Sequence, residues 1–315
     1  MTVVDRTLGG LRSGGGSRPV RARRRGPSRR QLTGLLFTAP AIVAVVLVIG
    51  YPLAWAANLS LLSEDALAPR GHPHYVGLDN YAAMLGSRDF REAILQTVGF
   101  VATTLTLELL IGFPIALLLN RKLRGIGAFR LIVALPLLIA PSVAGLLFRF
   151  LFADQYGAIN HLLSLVGVEG PLWAANPWAA RASILIGNLW LATPFTILVL
   201  LAGMASLPEE PFEAARVDGA RPWQLIRYIM LPLLRPALLV ILVVRLTDAF
   251  RIFDLVYILT GGGPGNFTDV ASTFIYREAF VRVDFPQAAA AAFLLVALVA
   301  ALSLVLFRLL RRRDA

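Results

Sequence analysis

Apolar residues gather into six long stretches of this chain, near 34–60, 93–119, 129–152, 182–204, 236–260 and 287–309, with polar segments between them. A helix of roughly 20 apolar residues crosses a bilayer core while satisfying its own backbone, so each stretch predicts one tilted membrane span. Pro40, Pro52, Pro114, Pro136, Pro141 and Pro194 interrupt several stretches, which membrane helices tolerate when neighbours re-satisfy the freed carbonyls. The expected fold class is an all-α membrane protein with six transmembrane helices. Composition agrees: 57% of residues are hydrophobic and 16% charged, whereas a soluble domain carries about 25% charged residues.

Positive charge sets the orientation. Residues 1–33 hold nine arginines amid Gly and Ser, a composition too polar to order itself and suited to an anionic leaflet. Arg121, Lys122, Arg124 and Arg130 follow the second stretch, Arg216, Arg221, Arg227 and Arg235 follow the fourth, and Arg308 with Arg311, Arg312 and Arg313 end the chain. With the N-terminus inside, 21 of the 30 Lys and Arg residues are cytoplasmic. The positive-inside rule therefore predicts that both termini are cytoplasmic. Residues 1–33 form a disordered tail, 34–310 a transmembrane domain and 311–315 a short cytoplasmic tail. Ser28-Arg29-Arg30 before an apolar run has a flavour of an export signal, but the run outlasts the ~7–15 residues of a signal core.

Several chemistries are excluded. The chain has no cysteine and three histidines, His72, His74 and His161, so thiol nucleophiles and thiolate metal sites are absent. His72 and His74 alone, without a nearby carboxylate or thiol, make a poor metal site. Lys122 is the single lysine and sits in no G-x-x-x-x-G-K-[ST] motif, so nothing can cradle a nucleotide's phosphates. No His, Cys or paired-carboxylate constellation supports a membrane enzyme, and nothing points to nucleic acid.

Residues 205–236 break the apolar pattern. Ser206-Leu207-Pro208-Glu209 reads as a capping box, and Glu209, Glu210 and Glu213 suit the positive end of a helix dipole. Gly219 fits a left-handed stop and Ala220 a close approach. A second helix is expected from Pro222, with Trp223, Ile226, Met230 and Leu234 on one face and Pro232 breaking it at the membrane.

The segment E-A-A-R-V-D-G-A-R-P-W-Q-L-I-R-Y-I-M-L-P-L-L-R-P at 213–236 resembles the E-A-A loop of bacterial ABC importer permeases. Glu213, Ala214, Ala215, Asp218, Gly219, Ala220, Leu231, Pro232 and Pro236 carry the match. Gly77-Leu78-Asp79-Asn80-Tyr81, and Phe253-Asp254 running into Thr260-Gly261-Gly262-Gly263-Pro264-Gly265, resemble the carbohydrate-uptake branch, in particular its maltose-type and glycerol-phosphate-type first subunit. The resemblance implies a type I importer permease fold in a bacterial plasma membrane, with 205–236 coupling transport to a separate ATPase. It implies three partners: a second permease subunit, an ATPase dimer and an extracytoplasmic solute-binding protein. ATP and magnesium would be used by the ATPase, and this chain would bind no cofactor. An ABC permease for a polyamine, phosphate or amino acid is the first alternative. An ion-coupled secondary transporter is the second; it calls for repeats with broken helices at matching positions, which the sequence does not display.

Ionisable residues inside apolar spans are costly and suggest a pathway or a partner contact. Here they are Glu108, Arg149, Arg245, Asp248, Arg251 and Asp254. Arg245, Asp248 and Arg251 have the spacing for an ion pair on one helix facing a polar cavity, or alternatively for a structural bridge at the membrane edge. Asn188, Trp190, Thr193 and Thr196 have the chemistry to hydrogen-bond and stack on a sugar, or to bond one helix to another. Asn188, Trp190, Thr193, Asp248 and Arg251 are the candidate substrate-pathway residues.

Overall fold

The computed structural model describes residues 29–63, 74–121 and 124–311. The basic tail up to residue 28, His72, Lys122 and residues 312–315 lie outside the described residues. The chain divides into two compact units, one ending at Leu53 and one beginning at Ala54. Among the described residues all regular structure is helical, apart from one isolated antiparallel bridge between Leu62 and Tyr75.

In chain order the helices are α1 (Arg29–Val45), a π turn (Val46–Gly50), α2 (Tyr51–Leu59), α3 (Asp79–Gly86) and α4 (Arg88–Leu119). Next come α5 (Ile126–Ala134), a 3-10 turn (Leu135–Leu138), α6 (Pro141–Leu151), α7 (Ala158–Leu165) and α8 (Pro177–Ala205). The polar segment holds α9 (Glu210–Val217), α10 (Pro222–Gln224), a second π turn (Leu225–Met230) and α11 (Leu231–Leu233). The chain ends with α12 (Arg235–Phe250), α13 (Asp254–Leu259), α14 (Ala271–Phe280) and α15 (Phe285–Arg311).

Polar caps start the two long central helices. Ser87 Oγ accepts from the Phe90 N–H at 3.3 Å, and Asn176 Oδ1 accepts from the Trp178 and Ala179 N–H groups at 3.0 and 3.1 Å. Each side chain satisfies amides that have no partner inside the helix. Half of the most apolar window of α8 is buried, so this helix forms the axis of the second unit. Its Ile197, Leu200, Leu201 and Met204 pack with Ala116 and Leu119 of α4 and Ile241 of α12.

Small residues set the helix separations. A Cβ placed on Gly203 would meet Ala237 Cβ and Leu234 Cδ2 at 2.9 Å, closer than side-chain atoms pack. Replacing Gly203 with leucine is expected to pry α8 from α12 and cost about 1–3 kcal/mol, read as a lower unfolding temperature of the detergent-purified protein. An unchanged temperature would show that the seam can open without loss.

Four helices are long and apolar enough to cross a membrane: Phe37–Leu59, Arg88–Leu119, Pro177–Ala205 and Phe285–Leu309. The stretch expected as a single span at 129–152 is broken instead, whereas that expected at 236–260 bends away from the helical segment before it. Ile126–Leu138 and Pro141–Leu151 meet at 99°, and Pro222–Leu233 and Arg235–Leu259 at 66°. Proline explains the first break, because the residue before Pro141 is driven out of helical conformation; Ala140 is extended at φ −62°, ψ 138°. The halves beyond the breaks pack on each other, a Cβ on Gly145 of α6 falling 3.0 Å from Ile258 Cδ1 of α13.

Candidate functional site

The polar segment between α8 and α12 is built on a helix stop. α9 ends at Val217, and Gly219 takes φ +79°. The Ala220 N–H then reaches back to the Ala215 carbonyl at 2.9 Å and the Gly219 N–H to that of Arg216 at 3.1 Å. This paired closure satisfies the last helical carbonyls and needs a left-handed residue at its centre. The second helix begins with Pro222 as expected, and Gln224 Oε1 accepts from the Arg221 N–H at 2.7 Å.

Three local expectations are corrected. Ser206 does not cap α9: its hydroxyl donates to the Gly203 carbonyl at 2.8 Å, closing α8, and α9 starts at Glu210 without a side-chain cap. Trp223 leaves the expected stripe because the π turn after Gln224 inserts a residue into the helical repeat. Met230 and Leu234 still face the core while Trp223 is exposed and packs against Tyr228 at 5.9 Å. Pro232 does not break the chain, since it lies within the helical turn α11 behind that π turn. The break falls at Leu234, with ψ 0°, where Pro236 cannot donate a hydrogen bond to continue the ladder.

Ala215, Asp218, Gly219 and Ala220 line one open groove of about 370 Å3 with Gln224, Tyr228 and Ile229. Glu213 and Ala214 are exposed on α9 beside it. Leu231 and Pro232 are half-buried and Pro236 is exposed; these three lie outside the groove, on the path back to the core. Val217, at the tip, is 88% exposed. The arrangement offers an exposed knob with an apolar and aromatic flank.

The second candidate site lies among α4, α8 and α12. Glu108 of α4 is fully buried and grips Arg245 of α12 through two bonds, Nε to Oε2 and Nη2 to Oε1, both 2.9 Å. The remaining Arg245 nitrogen, Nη1, donates to Asp248 Oδ2 at 3.2 Å. Thr196 Oγ1 of α8 adds a longer contact to Glu108 Oε2 at 3.4 Å. The one-helix pair expected between Arg245 and Asp248 is thus present, yet the main partner of Arg245 comes from another span. Their separation of 137 residues leaves no local spacing from which to read the pairing; two opposite charges in apolar spans were the available signal.

Beside this cluster is a cavity of about 410 Å3, lined among others by Asn188, Arg245, Asp248, Arg251, Phe253 and Asp254. Asn188 Nδ2 is buried without a hydrogen-bond partner among the described residues, a state that costs free energy until a water or ligand accepts from it. Arg251 does not share the helix of Arg245, because α12 ends at Phe250. Trp190 and Thr193 do not line the cavity. The Trp190 ring meets Phe148 edge-on at 5.5 Å, and Thr193 faces Gly112 of α4. Among the described residues no cluster of His, Asp and Glu suited to a metal ion occurs.

The glycine-rich stretch 261–265 is tied down rather than loose. Thr268 Oγ1 donates to the Gly263 carbonyl at 2.6 Å and lies 2.8 Å from Thr260 Oγ1. Arg181 holds the Phe267 carbonyl at 3.1 Å and lies 4.4 Å from the centre of its ring. Nearby, Glu278 is buried; desolvation pushes its carboxyl above the usual range, against the pull of Arg282 at 2.7 Å.

Broken apolar helices, a buried ion cluster at a polar cavity and a projecting helix–turn–helix knob define a multi-pass membrane transport subunit. Residues 108–314 match the family described as binding-protein-dependent transport system inner membrane component, and the chain belongs to that family. The trehalose/maltose transport system permease protein of Thermococcus litoralis is 34% identical over 287 residues, covering 91% of this chain and 96% of the relative. The sulfoquinovosyl glycerol transport system permease protein of Agrobacterium fabrum is 33% identical, covering 90% of this chain and 92% of the relative. Among solved structures, a bacterial importer of the acidic polysaccharide alginate matches with a TM-score of 0.77 at 24% identity, covering 90% of this chain and 96% of that chain. The expected ABC importer permease fold is borne out. Family membership sets aside the secondary transporter, although broken helices, its expected mark, are present.

Proposed function

We propose that this chain is the permease subunit of an ATP-driven importer of sugars or related carbohydrates. The carrying observation is the Gly219 turn, which presents Ala215, Asp218 and Ala220 on an exposed knob in a chain whose sequence holds no G-x-x-x-x-G-K-[ST] motif. The four long helices, the bent pair Ile126–Leu151 and the helical segment Arg235–Leu259 serve as six spans, with both termini and the 205–236 segment on the cytoplasmic side. The count of positive residues and the apolar stretches support that topology. The basic residues before 34 and after 310 flank it as cytoplasmic tails.

A separate ATPase pair grips the knob and uses ATP and magnesium. Its closure moves α9 and α10, and through Leu231, Pro232 and Pro236 it moves α12, which carries Arg245 and Asp248 at the cavity. A second permease subunit completes the pathway, and a binding protein outside delivers the cargo. The names of the trehalose/maltose and sulfoquinovosyl glycerol relatives support a carbohydrate. Asn188, Asp248 and Arg251 are the pathway residues that line the cavity; Trp190 and Thr193 support α8 instead.

The test is uptake of labelled disaccharides into proteoliposomes holding this chain with its second permease, ATPase and binding protein. ATP-dependent accumulation that stops when the ATPase is omitted is the expected result. Accumulation that persists without the ATPase would overturn the proposal. So would ATP-dependent uptake confined to polyamine, phosphate or amino acid.

A further inference from the structure

The relatives split over the charge of their cargo: trehalose and maltose are neutral, whereas a sulfonated sugar and alginate are anionic. The cavity walls bear on which kind this chain accepts. Four ionisable side chains line it: Arg245, Asp248, Arg251 and Asp254. Arg245 is already committed. Two of its nitrogens bind Glu108 at 2.9 Å, and the third binds Asp248 at 3.2 Å. Its charge is matched from behind by a carboxylate that never meets the cavity, so it offers an incoming anion little.

Arg251 is then the one cavity-lining guanidinium without an ion pair among the described residues, and two carboxylates line the cavity with it. Asp248 keeps a side chain 51% exposed despite its contact with Arg245, and Asp254 lines the same wall. An anionic group entering here meets one available cation and two like charges at close range. A polyhydroxylated neutral solute meets the opposite situation. Its hydroxyls can donate to Asp248 and Asp254, accept from Arg251 and from the partnerless Asn188 amide, and lie against the Phe253 ring.

We propose that the cavity selects an uncharged polyhydroxy solute and rejects acidic sugars, with Asp248 and Asp254 as the residues that set this choice. The inference rests on the carbohydrate-permease reading above and adds the charge class of the cargo.

The full assembly in proteoliposomes, with its binding protein, is assayed with trehalose, maltose and glycerol against glycerol 3-phosphate, sulfoquinovosyl glycerol and an alginate oligosaccharide. Neutral solutes are expected to enter at least about tenfold faster than acidic ones. To remove the binding protein's own preference, competition for a labelled neutral solute is measured on the purified assembly without it. There, Asp248→Asn with Asp254→Asn is expected to strengthen competition by the acidic solutes at least about tenfold. Co-purification of the ATPase reports that the variant has folded, and each single substitution serves if the pair does not. Acidic solutes carried as fast as neutral ones would overturn the inference and leave the carbohydrate reading standing. Unchanged competition in folded variants would overturn the role of the two aspartates. ATP-driven transport of none of the six would overturn both readings together.

Discussion

Replacing Gly219 with valine is expected to abolish transport and strip the ATPase from the purified complex. The residue sits at φ +79°, where a β-branched side chain is strained by about 1–3 kcal/mol. The two bonds that close α9, from Ala220 to Ala215 and from Gly219 to Arg216, hold only while that conformation does. No atom lies within 4 Å of where a Cβ would stand, so within this chain the damage comes from the backbone and not from a clash. Asparagine, which tolerates the left-handed region, separates the two effects. A Gly219→Asn chain that keeps the ATPase while the valine variant loses it assigns the requirement to the turn. Normal uptake and normal co-purification in the valine variant would refute the coupling role.

The second large effect is expected at the buried ion pair. Arg245→Met leaves Glu108, fully buried and held mainly by that guanidinium, without its counter-charge. Stranding one member of such a pair costs about 3–5 kcal/mol, a large part of an ordinary stability margin of roughly 5–15 kcal/mol. The single variant should therefore accumulate poorly and aggregate on extraction. Adding Glu108→Met removes the stranded charge and should restore a monodisperse peak in size-exclusion chromatography. If the single variant is as stable as the parent, the pair does not hold α4 to α12.

Features with a local cause are legible in the sequence. Apolar length is local, so the stretches of α4, α8 and α15 are found to within a few residues. Gly219 was legible because its conformation depends on its own missing Cβ, and Pro222 because its ring suits a first helical turn. Features that a distant partner or a summed geometry decides are not. The π turn at Leu225–Met230 leaves no composition signature, so Trp223 was put on the wrong face. Pro136 and Pro141 marked an interruption near 139, but nothing local fixes an angle of 99°. The candidate pathway residues part company for the same reason. Asn188, Asp248 and Arg251 reach the cavity, while Trp190 and Thr193, a few residues along the same helix as Asn188, turn to Phe148 and Gly112.

The seam between α6 and α13 has a mechanical meaning. α6 is the far half of the bent pair Ile126–Leu151 and α13 the end of the segment Arg235–Leu259, and they meet where Gly145 leaves no room beyond Ile258. Ile258 is on the same short helix as Asp254, which lines the cavity. A tightly packed contact transmits displacement instead of absorbing it, so a shift of α6 would be passed to α13 and to the cavity wall that carries Asp254. Pro141, at the start of α6, and Asp254, at the start of α13, line the same cavity, so one wall is shared by two apolar segments across this seam.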